Sequence, residues 1–244
     1  MDLPTRLPLE VLAQPSDDAC GPTALHGVYR FWGDEVPLAE VVAGVKRLDD
    51  GGTIAASLGA HALRRGYGAT LYTYNLRIFD PTWFDSSGRS LPSQQLIAKL
   101  RAQAEAKAKE KLNFVTEAFA GFLEGGGQVR FEDLNGRLIA RLLRAGRPIL
   151  VGLSSTYLYK VMRETRRDGA VDDVNGYPSG HFVVLHGYDP ARRTVDLADP
   201  LGQSHAGGAR HYQVTLSRLT AAILLGVLTY DGNLLVIEPG GRPR

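Results

Sequence analysis

The chain has 244 residues, 44% of them hydrophobic, enough to bury a substantial core in one large domain or in one domain that carries an insertion. Lysine and arginine number 28 against 26 for aspartate and glutamate, and a net charge of +2 is too small to imply a nucleic-acid or membrane partner by bulk attraction. The single cysteine, Cys20, excludes an intrachain disulfide, so the fold does not depend on an oxidising compartment.

The opening "MDLPTRLPLEVLAQ" lacks the cationic start and apolar run of a secretory signal, and a cytoplasmic location is expected. From Cys20, the apolar residues Leu25, Val28, Tyr29 and Trp32 recur at helical spacing, with Asp17 and Asp18 as expected caps and Gly33 as the stop. "PLAEVVAGVKRL" predicts a second helix running to Leu48, and "TIAASLGAHALRRG" a third that ends on Gly66. "ATLYTYN" is the first strand.

Between about 81 and 136 the composition turns to Ala, Lys and Glu, which predicts a helical insertion. It closes on "GGGQVR", which resembles a phosphate loop only in its glycines and reads as a helix stop. "NGRLIARLLRAGRP" predicts an amphipathic helix and "ILVGLS" a buried strand. Residues 163–180 are polar and aperiodic and read as an exposed loop, of a length that is often functional. "HFVVLHGY" and "TVDLADP" predict strands around the turn "DPARR". "GVLTYDGNLLVIEP" predicts a final pair of strands around Asp231, so that the last third becomes a mostly antiparallel sheet. The run "LTAAILLGVL" is about half the length of a membrane span and reads as core.

If the two strands around "DPARR" pair about a centre near Pro190, His181 falls opposite Asp199, Val183 opposite Leu197, and Leu185 opposite Val195. A histidine held by a carboxylate has one orientation and one tautomer, as a general base for a thiol requires. Cys20 supplies that thiol at a helix N-terminus, where the macrodipole and unpaired N–H groups favour a thiolate. Gly21 allows close backbone approach, and Pro22 fits the first helical turn. Gln14, six residues before Cys20, offers a side-chain amide for an oxyanion.

This set of residues, Gln14 ahead of a Cys-Gly pair and then "GHFVVLHGYD" and "DLADPLG", resembles the papain-like cysteine peptidases. Within them it looks most like the family of bacteriocin-processing peptidases that cut after double-glycine leaders. The resemblance covers Gln14 to about Tyr74 and Ile149 to about Gly202. It implies an α+β papain-like fold, with an N-terminal helical part packed on a C-terminal antiparallel sheet. It also implies Cys20 as nucleophile, His181 as general base and acid, Asp199 as the residue orienting His181, and Gln14 in the oxyanion hole. The expected activity is hydrolysis of a peptide or isopeptide bond in a peptide or protein substrate. Acyl transfer from the same acyl-enzyme, or a silent peptide-binding module, are the alternatives. Specificity for double-glycine leaders is not carried over, because the insertion and the loop before His181 would reshape the cleft.

The remaining candidates read more plainly. His26 and His61 fall on helices, His205 and His211 in a polar stretch, and His186 on the strand face opposite His181. No spacing of cysteine, histidine and carboxylate argues for a metal site, and no cofactor is expected. Tyr157, Tyr159 and Tyr177 line a cleft or pack in core and loop, and both readings stand.

Overall fold

The apolar runs of the sequence become strands covered on both faces. In the computed structural model, which describes residues 3–47, 52–165, 169–201, 208–229 and 232–240, the described strands form one sheet. They are β1 (Thr5–Arg6), β2 (Tyr67–Thr73), β3 (Gln128–Arg130), β4 (Ile149–Ser154), β5 (Gly180–Asp189), β6 (Thr194–Ala198), β7 (His211–Thr215) and β8 (Asn233–Pro239). The order across the sheet is β3-β2-β8-β4-β5-β6-β7, with β1 on the far end of β5. Only β2 and β3 run parallel; the other pairs are antiparallel.

Successive residues of each strand point to opposite faces. Leu150, Phe182, Val184, Leu235 and Ile237 pack beneath α1 (Cys20–Phe31), α2 (Leu38–Gly44), α3 (Ala55–Arg64), α4 (Ser93–Lys107) and α5 (Glu110–Glu124). Val151, Leu153, Val183, Leu185, Leu234 and Val236 pack on the other side, beneath α6 (Gly136–Arg144), α7 (Ser155–Tyr159) and α8 (Leu216–Leu225). Burial on both faces is why "ILVGLS", "FVVL" and "LLVI" read as continuous apolar runs rather than as alternation. The molecule is therefore a mixed helix-and-sheet fold in which helices cover both sides of the sheet.

Several expectations are corrected. The stretch 81–136 shares the core: Leu96, Leu100, Phe119 and Phe122 join the cluster that contains α1 and α3, and "GGGQVR" turns into β3 directly after the α5 stop. "GVLT" is a short 3-10 helix, so the expected closing pair reduces to β8. That strand inserts between β2 and β4 because its alternating residues satisfy both cores at once. The polar stretch around His211 forms the edge strand β7. The second helix ends at Gly44, four residues short of Leu48. Leu48, Asp231 and His205 lie outside the described residues.

The β5–β6 hairpin forms with a different register. Val184 faces Ala198 and Leu185 faces Leu197, followed by a bulge at His186 and then Gly187 opposite Asp196. Continuing the first register brings Asp199 beside Val183, so His181 and Asp199 are diagonal neighbours rather than direct partners. The turn is wider than one centred on Pro190, running through Arg193 at a φ of +54°, which shifts the pairing by three residues, and the bulge at His186 takes one of them back. The slip amounts to two residues, and a slip of two keeps both side chains on one face, whereas a slip of one would have separated them.

Candidate active site

Three elements converge at the Ser154 end of β4. Ser155 N–H and Oγ both donate to the Ser179 carbonyl, at 3.0 and 2.9 Å, which staples the end of β4 to the start of β5. His181 follows as the second residue of β5, opposite Leu153. Asp199 follows β6 and is tied to the strand beside it by its N–H donating to Arg210 O at 2.8 Å. Cys20 opens α1.

α1 reaches this point because Gly21 has no side chain. A Cβ there would meet Phe182 Cδ2 at 3.2 Å, and Leu58 Cδ1 and Thr53 Cβ at 3.3 Å. Phe182 is the strand neighbour of His181, so this contact sets the thiol's position against the imidazole. Asp17 and Asp18 do not cap α1. Ala19 stands at the cap without a side-chain hydrogen bond. Asp18 instead accepts from Ser16 at 2.5 Å and pairs with Arg47. The hydroxyl of Ser16, aided by Arg47 against partial burial, holds the Asp18 carboxyl below its ordinary pKa. Among the described residues, the first turn of α1 thus keeps its N–H groups clear of side-chain acceptors, which suits an oxyanion.

His181 is 5% exposed and Asp199 3%, with His181 Nε2 donating to Asp199 Oδ1 at 2.8 Å. A carboxylate only accepts, so the proton lies on Nε2, and Nδ1 stays open to a further partner. Burial works to depress the imidazolium, but the interaction with the Cys20 side chain and the hydrogen bond to Asp199 outweigh it and raise the His181 pKa to about 10.

Asp199 carries more hydrogen bonds than the sequence reading assigned to it. Oδ1 also accepts from Leu201 N–H at 2.9 Å, and Oδ2 accepts from Tyr212 Oη at 2.6 Å and from Tyr159 Oη. Burial opposes the carboxylate, but His181 and the two tyrosine hydroxyls bring its pKa down to about 2. The tyrosines shift the opposite way: burial, then the Asp199 charge, keep both phenols protonated as donors far beyond neutral pH. Tyr159 stands at the end of α7 with its ring 6.0 Å from that of His181, so it belongs to the site rather than to an open cleft or loop. Tyr212 was missed, although "HYQVT" carries a signal. Tyr212 and Val214 alternate with Gln213, and Tyr212 pairs with Leu197, two residues before Asp199.

Gln14 lies beside the same turn, its N–H donating to Pro200 O at 3.0 Å. Its Nε2 donates to Ser16 O at 3.0 Å and retains a second N–H, while Oε1 is buried without a partner among the described residues.

The described part of the loop before His181 is largely exposed, and it carries exposed apolar side chains. Glu164 bridges to Val171 and Tyr177, and Val171, Val174 and Tyr177 are 61%, 76% and 50% exposed. A cleft of about 510 Å³ opens beside α7, lined by Tyr157, Val161, Met162, Arg163 and Arg218 among others, and it does not include Cys20 or His181. Among the described residues no group of three or more histidine, cysteine or carboxylate side chains gathers to hold a metal ion. No helix among them is long and apolar enough to cross a membrane.

Residues 131–221 match the model of the Peptidase_C39 like family, a segment that includes His181 and Asp199 and spans under half of the chain. A comparison with curated proteins found no match. Among solved structures, a double-glycine-motif protease from an AMS/PCAT transporter, in complex with its leader peptide, is 15% identical with a TM-score of 0.44, covering 98% of this chain and 99% of that one. A C39-like peptidase from Bacillus anthracis is 16% identical with a TM-score of 0.43, covering all of both chains. Xylellain, a cysteine protease from Xylella fastidiosa, is 14% identical with a TM-score of 0.43, covering 98% of this chain and 86% of that one. Likenesses of this size decide nothing about chemistry, which is read from the side chains.

Proposed function

We propose that the protein is a cysteine peptidase that hydrolyses an amide bond through Cys20, His181 and Asp199. The observation that carries the reading is the buried His181 Nε2 to Asp199 Oδ1 bond of 2.8 Å, on a ring that also interacts electrostatically with the Cys20 side chain. The family match over 131–221 supports it independently.

The thiolate Sγ of Cys20 attacks the carbonyl carbon, and the carbonyl π electrons move to oxygen. The oxyanion accepts from the Cys20 N–H and from the free N–H of the Gln14 amide. His181 Nδ1–H gives its proton to the leaving nitrogen as the C–N bond breaks, leaving a thioester on Cys20. Water then adds to the thioester, giving a proton to His181 Nδ1, and the carboxylic acid departs as the thiolate re-forms. Asp199 holds the ring and stays ionised throughout. The cleft beside α7 and the exposed apolar side chains of the described part of the 163–180 loop supply contact surface for a peptide chain.

Incubation with a proteome-derived peptide library, read by mass spectrometry, tests this. Wild type should create new termini whose fragments sum to substrate plus one water, and Cys20→Ser and His181→Ala should create none. Equal cleavage by all three proteins, or no cleavage by wild type, would contradict the reading. Products joined to an added amine, with no free acid, would instead indicate acyl transfer.

A further inference from the structure

A pair of histidines lies away from the proposed catalytic residues, under the N-terminal segment that leads to Gln14. His186, in the β5 bulge, is 2% exposed, and His211 stands across from it on β7. The rings are perpendicular with centroids 5.1 Å apart, and His186 Nε2 lies 3.3 Å from His211 Nδ1. The outer nitrogens are already committed. His186 Nδ1 lies 3.1 Å from Leu7 O, and His211 Nε2 lies 3.2 Å from Glu10 Oε2.

A carbonyl and a carboxylate only accept, so both outer nitrogens carry the proton. In the neutral rings the two inner nitrogens are then bare lone pairs facing each other, which repel unless a cation lies between them. A proton fits poorly. The 3.3 Å separation is longer than an ordinary hydrogen bond, and a shared proton would lie against the almost wholly buried His186 ring, its charge held by the part-exposed His211 beside Glu10. A metal ion fits better, because two nitrogens about 2.0–2.1 Å from a tetrahedral ion are themselves about 3.3 Å apart. Outer nitrogens bonded to a carbonyl and a carboxylate are the second-shell arrangement that fixes histidine tautomers for ligation. The Asp196 carboxylate, folded over Gly187 next to His186, adds negative charge, while Arg6 opposes it.

We propose that His186 Nε2 and His211 Nδ1 bind one divalent transition-metal ion of the zinc or nickel type, with water completing its coordination. The ion would clasp the Leu7–Glu10 segment to β5 and β7. The sequence gives no hint of this site, because its residues lie 25 positions apart and meet only through the bulge and the β6 hairpins.

The test uses the untagged full chain carrying Cys20→Ser, which removes the competing thiolate, titrated with zinc chloride and nickel chloride by calorimetry. One ion per chain should bind and raise the melting temperature, with affinity at least about tenfold weaker in His211→Gln and weakened also in Glu10→Gln. Long-range proton–nitrogen NMR on the Cys20→Ser protein should show the metal moving His186 Nε2 and His211 Nδ1 and no other imidazole nitrogen. This readout does not depend on the His211 variant folding. No saturable binding, binding unchanged in a folded His211→Gln, or spectra in which a proton alone occupies the pair would each overturn the proposal. Because the background lacks the thiol, the result is independent of whether Cys20 is a nucleophile.

Discussion

Asp199 is the residue on which the other proposed catalytic side chains depend. Its four acceptor bonds leave no lone pair direction unused, so the carboxylate can present only Oδ1 to His181. Tyr212→Phe or Tyr159→Phe removes a hydrogen bond to a buried charge and should cost about 1.5–3 kcal/mol of stability. Asp199 has a folded pKa below its unfolded one. Its contribution is therefore present above about 3.8 and lost as pH falls toward about 2. In either phenylalanine variant the folded pKa rises toward the ordinary value and that contribution shrinks, which urea melts at pH 3, 5 and 7 would measure. A wild-type pH dependence in the variants would show that the tyrosines do not hold the carboxylate. Cys20, His181 and Asp199 could be named as candidates from the sequence because each has a local signature: a helix start, a strand start and a strand end. The role of the two tyrosines was not legible, because it comes from α7 and β7 folding back onto one carboxylate.

Among the elements, α1 and the β5–β6 hairpin set the geometry. Gly21 is the contact point, and Gly21→Ala forces a methyl against Phe182, Leu58 and Thr53 at 3.2–3.3 Å. We expect about 1 kcal/mol of lost stability but about tenfold to a hundredfold lower activity, since small displacements of a reacting group are costly. A thermal melt alongside a turnover assay separates the two; unchanged activity would mean that α1 has latitude here. The contrast is α6, capped by Asn135 Oδ1 accepting from Arg137 and Leu138 N–H at 3.0 Å. Asn135→Ala should cost about 1 kcal/mol and leave the chemistry intact. The hairpin's existence followed from alternation, turn residues and apolar pairing. Its register did not, because the wider turn and the bulge at His186 have no local marker in "HGYDPARR".

Across the whole molecule, one sheet buried on both faces carries the proposed nucleophile's helix on one side and the tyrosine clamp on the other, and they meet at the strand ends. Strand and helix content was readable from periodicity. The layering was not, since it depends on β8 entering the middle of the sheet and on α4 and α5 joining the core of α1 and α3. The His181–Asp199 pair also gives the molecule a pH signature. His181 is raised from 6.5 to about 10, so its contribution is full below about 6.5 and is lost as pH climbs through about 10. Thermal stability should fall on the alkaline side, and His181→Ala should flatten that fall. The central claim, that His181 and Asp199 activate Cys20, is tested most directly by the rate of iodoacetamide alkylation at pH 7 in wild type, His181→Ala and Asp199→Asn. Wild type should label fast and His181→Ala at least about tenfold more slowly, with Asp199→Asn between them; equal rates in all three would contradict the account.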